Sequence, residues 1–169
     1  VKDAEGNLTG WTKEEPSPNS YDSYYIPEMK QAGWKGTQYA PYTDYICLDG
    51  WQYYHNHQDA GLISPELDMS KDGGKFAVSV KLASAPVTAV DKDGKEFTAY
   101  PQAAFALFNY NETTCDYEQA ELIYPEGYPK AVNDNWKNFT VNFTKGSKKS
   151  IIGIYAVYAD EHLYLDDLK

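Results

Sequence analysis

With 169 residues, a formal net charge of −10, and fifteen basic residues that are all lysine, the chain can bury one real core but carries the wrong charge for a polyanion. Nucleic acid and anionic lipid surfaces are excluded as partners, since both need a basic patch and phosphate is read best by the arginine fork that this chain lacks. No stretch approaches the ~18 consecutive apolar residues of a membrane span, so no membrane insertion is expected, and the opening Val1-Lys2-Asp3 reads as a mature or trimmed chain.

The first sixty residues hold Pro16, Pro18, Pro27 and Pro41, three tryptophans and half of the tyrosines, with little alternation. Long amino-terminal loops are expected there, with short strands around residues 21–25 and 44–48. This region ends in the densest aromatic and amide cluster, Trp51-Gln52-Tyr53-Tyr54-His55-Asn56, preceded by Trp34, Tyr39 and Tyr42. Next comes Gly61-Leu62-Ile63-Ser64-Pro65-Glu66-Leu67-Asp68-Met69-Ser70, which reads as a strand joining a sheet at its edge.

Period-two alternation is strong at Phe76, Val78, Val80 and Leu82 and returns at Phe139, Val141 and Phe143, each a half-buried strand. Residues 103–108 and 151–157 are apolar on both faces and belong at the centre of a sheet. Turn chemistry separates these runs at Asp72-Gly73-Gly74, Asp93-Gly94, Glu126-Gly127 and Lys145-Gly146. Asp91-Lys92-Asp93-Gly94 lacks the spacing of a calcium loop and predicts a hairpin turn. The chain closes on Leu163-Tyr164-Leu165-Asp166-Asp167, a strand ending in adjacent carboxylates. No helical stripe, repeat or linker interrupts the pattern, so residues 1–169 are expected to form one all-β domain.

Cys47 and Cys115 allow one disulfide, but spacing alone does not bring them together, and Cys47 in its apolar run fits a buried thiol equally well. Of the four Asn-x-Thr sequons, those at Asn138 and Asn142 are better explained as the polar face of an alternating strand.

Residues 62–70, the strand from Phe76, the segment Trp136-Lys137-Asn138-Phe139-Thr140-Val141 and the closing Leu163-Tyr164-Leu165-Asp166-Asp167 together resemble the cleaved-adhesin, or choice-of-anchor J, modules of Bacteroidetes surface proteins. The resemblance covers roughly residues 60 to 169 in order, with Gly10-Trp11 as a looser match. It implies a jelly-roll β-sandwich of two antiparallel sheets, similar to MAM domains and galactose-binding-like modules, in a secreted or cell-surface protein. It also implies structural roles for Trp11 and Trp136, and a structural calcium at Asp166 and Asp167. The remaining ligands would come from the amino-terminal segment, where Glu5, Glu14, Glu15 and Asp22 are available. Two features depart from the family: Ala60-Gly61 stands where an aromatic is common, and residues 87–100 form an inserted hairpin.

Sugars stack their C–H faces on aromatic rings while amides and carboxylates bond their hydroxyls, so the loop cluster has the right composition for glycan. The binding residues expected are Trp34, Tyr39, Trp51, Tyr53, Tyr54 and His55. The function expected is non-catalytic recognition of a glycan or of a host or cell-surface protein. The alternative is a structural or protein-interaction domain in which the same rings coat the sheets. A lyase or hydrolase ranks last: a lyase would have to use His55 with Tyr53 or Tyr54 and no arginine, and Glu66 and Asp68 lack the third acid, since Lys71 stands in its place.

Overall fold

The computed structural model describes residues 23–24, 33–37, 39–41, 45–49, 60–84, 87–99, 102–125, 136–157 and 162–169. The structure places β1 at Ser23–Tyr24, β2 at Lys35–Thr37, β3 at Tyr39–Pro41, β4 at Ile46–Asp49, β5 at Ala60–Ile63 and β6 at Phe76–Ser84. It continues with β7 at Val87–Val90, β8 at Glu96–Ala99, β9 at Gln102–Asn111, β10 at Asp116–Ile123, β11 at Lys137–Phe143, β12 at Ser150–Val157 and β13 at His162–Asp166. A six-stranded sheet runs β1-β2-β5-β12-β9-β10, a five-stranded sheet runs β11-β6-β13-β4-β3, and β7 and β8 form a separate two-stranded sheet. Each of these strand pairings is antiparallel.

From β4 onward the chain changes sheet at nearly every connection, which is the winding of a jelly roll. Alternation explains why the sheets close on each other. Among the described residues the core holds sixteen buried side chains, eight from each sheet. Ala103, Phe105 and Leu107 of β9 stand opposite Ala156, Ile154 and Ile152 of β12, and Val78, Val80 and Leu82 of β6 meet Leu163 and Leu165 of β13 within the same cluster. The long apolar runs at 103–108 and 151–157 are indeed central strands.

β5 is not at an edge, because β2 pairs on its outer side. The Ser64-Pro65 break instead begins the crossover to the second sheet. Ser64, 4% exposed, donates its N–H to the Ile152 carbonyl at 2.9 Å while its hydroxyl oxygen accepts the Ile152 N–H at 2.9 Å. A proline that cannot donate follows, and the chain is then stitched to the start of β12 by Leu67 and Ser150, which exchange both backbone bonds at 2.8 and 3.0 Å.

The Glu121 carboxylate on β10 ties that strand to the β11–β12 turn. It accepts the Thr144 N–H and hydroxyl, both at 2.8 Å, and the Lys145 N–H at 2.9 Å. Burial pushes Glu121 upward, but these bonds outweigh it and hold the group below the ordinary carboxylate range. Cys47 is buried on β4, Cys115 is exposed in the β9–β10 turn, and no disulfide joins them. Among the described residues no helix is long and apolar enough to cross a membrane.

Candidate functional site

Alternation along β13 sends Leu163 and Leu165 into the core and leaves His162, Tyr164 and Asp166 on the outer face of the five-stranded sheet. Tyr164 stands opposite Cys47 on one side and Ala83 on the other. Its ring meets Tyr45 edge-on at 5.6 Å and His162 at 6.1 Å, and Tyr45 in turn meets Trp136 at 5.9 Å. Tyr45 precedes β4 and Trp136 precedes β11, strands separated by β6 and β13, so the two rings arch over the small residues between them. Ala83 is 3% exposed and Cys47 2% exposed on that same outer row.

Next to the aromatic row lies a polar one. Asp166 pairs with Lys81 and Lys81 with Asn138 across three strands of the same face. Thr140 and Ser79 follow, their hydroxyls 3.4 Å apart. An aromatic row beside a row of amide, hydroxyl and charge suits a ligand with both C–H faces and hydroxyls.

The sequence-predicted residues fall in three groups. Trp51, Tyr53, Tyr54 and His55 lie outside the described residues, although their segment leaves β4 at Asp49, which pairs with His162. Tyr39 is in edge strand β3, opposite Leu48, with only its backbone described. Trp34 is partly buried and packs against the core cluster. Trp136, expected in a structural role, is half-buried within the outer-face arch. Tyr45, Tyr164 and His162 are not among the binding residues expected from sequence, and it is the strand pairing that brings them together.

Asp166 and Asp167 sit where β13 ends. The Asp166 carboxylate accepts the Asp167 N–H at 2.7 Å, and Asp167 turns away with a positive φ of 50°. Its carboxylate meets the Lys81 ammonium at 2.5 Å, and the hydrogen bond and charge of Lys81 hold it below the ordinary range. Among the described residues no three His, Cys, Asp or Glu side chains gather around a point. Asp167 already has a counter-charge in Lys81, so a calcium ion held here would need further oxygen ligands from outside the pair. Glu5, Glu14, Glu15 and Asp22, named as co-ligands, lie outside the described residues.

A second group of rings lies on the outer face of the six-stranded sheet. Tyr110 and Tyr117 face each other across the β9–β10 ladder with ring centroids 5.4 Å apart. The Lys149 ammonium lies 4.6 Å from the Tyr110 centroid and pairs with Glu112 at 2.8 Å. The Tyr117 hydroxyl donates to Glu66 at 2.5 Å. That bond, then burial and the nearby charge, push the phenol up to about 12. The ordinary value is 10.0, so between these two pH values the folded chain keeps a proton that the unfolded chain has lost. The stabilisation is complete below the lower value and disappears as pH rises through the upper one. In a titration of ¹³C-labelled tyrosine, the Tyr117 signal is expected to shift at about 12 and to move down towards 10.0 in Glu66→Gln. An unchanged midpoint in that variant would remove Glu66 as the cause.

No family model and no curated protein matches the chain. It is similar to the solved K1 cleaved adhesin domain of Lys-gingipain from Porphyromonas gingivalis W83, at 15% identity over 90% of this chain and 89% of that one, with a TM-score of 0.39. It is also similar to a family 16 carbohydrate-binding module, at 10% identity over 83% and 86% of the two chains, with a TM-score of 0.40. A family 29 carbohydrate-binding module aligns at 9% identity over 92% and 80%, with a TM-score of 0.41.

Proposed function

We propose that this chain is a non-catalytic recognition module of a secreted or cell-surface protein, binding glycan on the outer face of its five-stranded sheet. The observation that supports the reading most is the Tyr45, Trp136, Tyr164 and His162 arch beside the Asn138, Lys81 and Asp166 row. Trp51, Tyr53, Tyr54 and His55 belong to the proposal as candidates read from sequence, a few positions after Asp49, the β4 residue that pairs with His162. The net charge of −10 and the absence of arginine favour neutral over anionic glycans.

A glycan array probed in calcium buffer is expected to bind wild type and to lose about tenfold or more in apparent affinity with Trp51→Ala and Trp136→Ala, the scale of lost ring stacking. A blank array from folded protein would favour the second reading, a structural or protein-interaction domain. The tight mutual packing of the arch rings supports that alternative. Calcium at Asp166 and Asp167 is part of the proposal and is tested by melting the domain in calcium and in chelator. A calcium-dependent rise in Tm that Asp166→Asn abolishes supports the ion. Equal melting temperatures would leave Asp167 to Lys81 alone.

A further inference from the structure

The outer face of the six-stranded sheet carries a ring held in a way that packing does not require. Tyr117 is on edge strand β10, whereas Glu66 lies just before Leu67, which bridges to Ser150 on the far side of β12. Three strand spacings, about 14 Å, separate the two backbones. A hydrogen bond of 2.5 Å between their ends therefore requires both side chains to lie down across β9 and β12. The Tyr117 ring is thus stretched over the sheet and pinned at its tip by a residue 51 positions away. It remains half-buried, and exposed Gln119 follows two residues on along the same face.

Further along, Tyr155 adopts a similar posture. A Cβ built at Gly61 or Gly153 would overlap its ring, with the nearest Gly61 contacts at 2.5 and 2.9 Å, so the ring lies against both glycines. Glycine inside a strand sacrifices packing, and covering it with a cross-strand ring recovers some of that loss. Rings laid along a sheet also form a stacking surface. The charges around Tyr117 limit what could stack there: Glu66 is taken by the phenol and Lys149 by Glu112, and no arginine is present to receive a uronate or sulfate.

We infer that this face is a second sugar-binding surface, separate from the five-stranded face, on which neutral polysaccharide stacks against the Tyr117 ring and bonds the Gln119 amide. The two surfaces lie on opposite sides of the sandwich, so the domain can bridge two chains of one polymer network.

Native electrophoresis through gels containing hydroxyethyl cellulose, galactomannan or polygalacturonate tests this with the whole chain. Wild type is expected to be retarded by at least one neutral polymer and not by polygalacturonate. Tyr117→Ala is expected to weaken that retardation about tenfold, and Tyr117→Phe, which keeps the ring and loses only the pin, by less. Trp51→Ala should leave the Tyr117-dependent part intact, so failure of the first surface is distinguishable from failure of this one. Wild-type retardation in Tyr117→Ala would overturn the inference, as would retardation by polygalacturonate alone or by no polymer. Should Tyr117→Ala fail to fold, the exposed Gln119→Ala replaces it, and unchanged retardation there overturns the inference equally.

Discussion

Phe105→Ala is expected to lower the unfolding free energy by about 3–5 kcal/mol, a large share of the stability of an ordinary domain. Phe105 is 0% exposed and is among the largest fully buried side chains. It projects from β9 between Ile154 of β12 and Ile123 of β10, at the level where the two sheets meet. The sheets are rigid hydrogen-bonded layers and cannot collapse into the space, so the cavity term adds to the lost transfer energy. Phe97→Ala is the control, because Phe97 is 48% exposed on the β7–β8 hairpin and should change stability by about 0.5 kcal/mol or less. Urea midpoints at constant m-value give both numbers. Similar losses for the two variants would mean that the sandwich interface does not carry the stability.

That contrast shows what the sequence could reveal. Apolar runs on both faces marked residues 103–108 and 151–157 as central strands, and clean alternation marked β6 and β11, because burial leaves a period of two wherever the ladder is regular. β10 escaped notice for the complementary reason. Its register shifts between Gln119 and Glu121, so Tyr117 and Gln119 face outward before the shift and Leu122 after it, and no single period spans Asp116–Ile123. β2 and β3, three residues each, are too short to show a period at all.

The binding surfaces were harder to read than the fold. Tyr45 and Trp136 meet across two intervening strands, and Tyr117 and Glu66 across another two, contacts that depend on strand order rather than on spacing along the chain. Composition indicated that aromatic and amide groups were abundant. Only the pairing of β13 with β4 and β6 shows that Tyr45, Tyr164 and His162 share one face. The Ser64-Pro65 motif was legible as a break, but its role as a crossover required knowing that β2 occupies the far side of β5.

Asp72-Gly73-Gly74 was equally legible as a turn, yet only the structure separates its two glycines, and Gly74→Ala is expected to be far more damaging than Gly73→Ala. Both glycines have positive φ, 70° and 83°, so each substitution carries left-handed strain of about 1 kcal/mol. At Gly73 a Cβ would meet nothing within 4 Å. At Gly74 it would fall 2.5 and 2.8 Å from the backbone carbonyl oxygen and nitrogen of Gly146, whose N–H donates to the Gly74 carbonyl at 2.9 Å. Gly146 in turn is pressed against the Met69 backbone, which bonds Ser147 at 2.8 Å. Neither neighbour is a flexible side-chain end that could move aside. Relief would require separating the crossover from the β11–β12 turn, with loss of the hydrogen bonds that join them. Gly74→Ala is therefore expected to cost about 3 kcal/mol or more, the sum of strain and at least one orphaned backbone pair, against about 1 kcal/mol for Gly73→Ala. Thermal melts of the two variants decide the point, and equal shifts in Tm would show that the turn yields and the close approach of the two glycines does not hold the crossover in place.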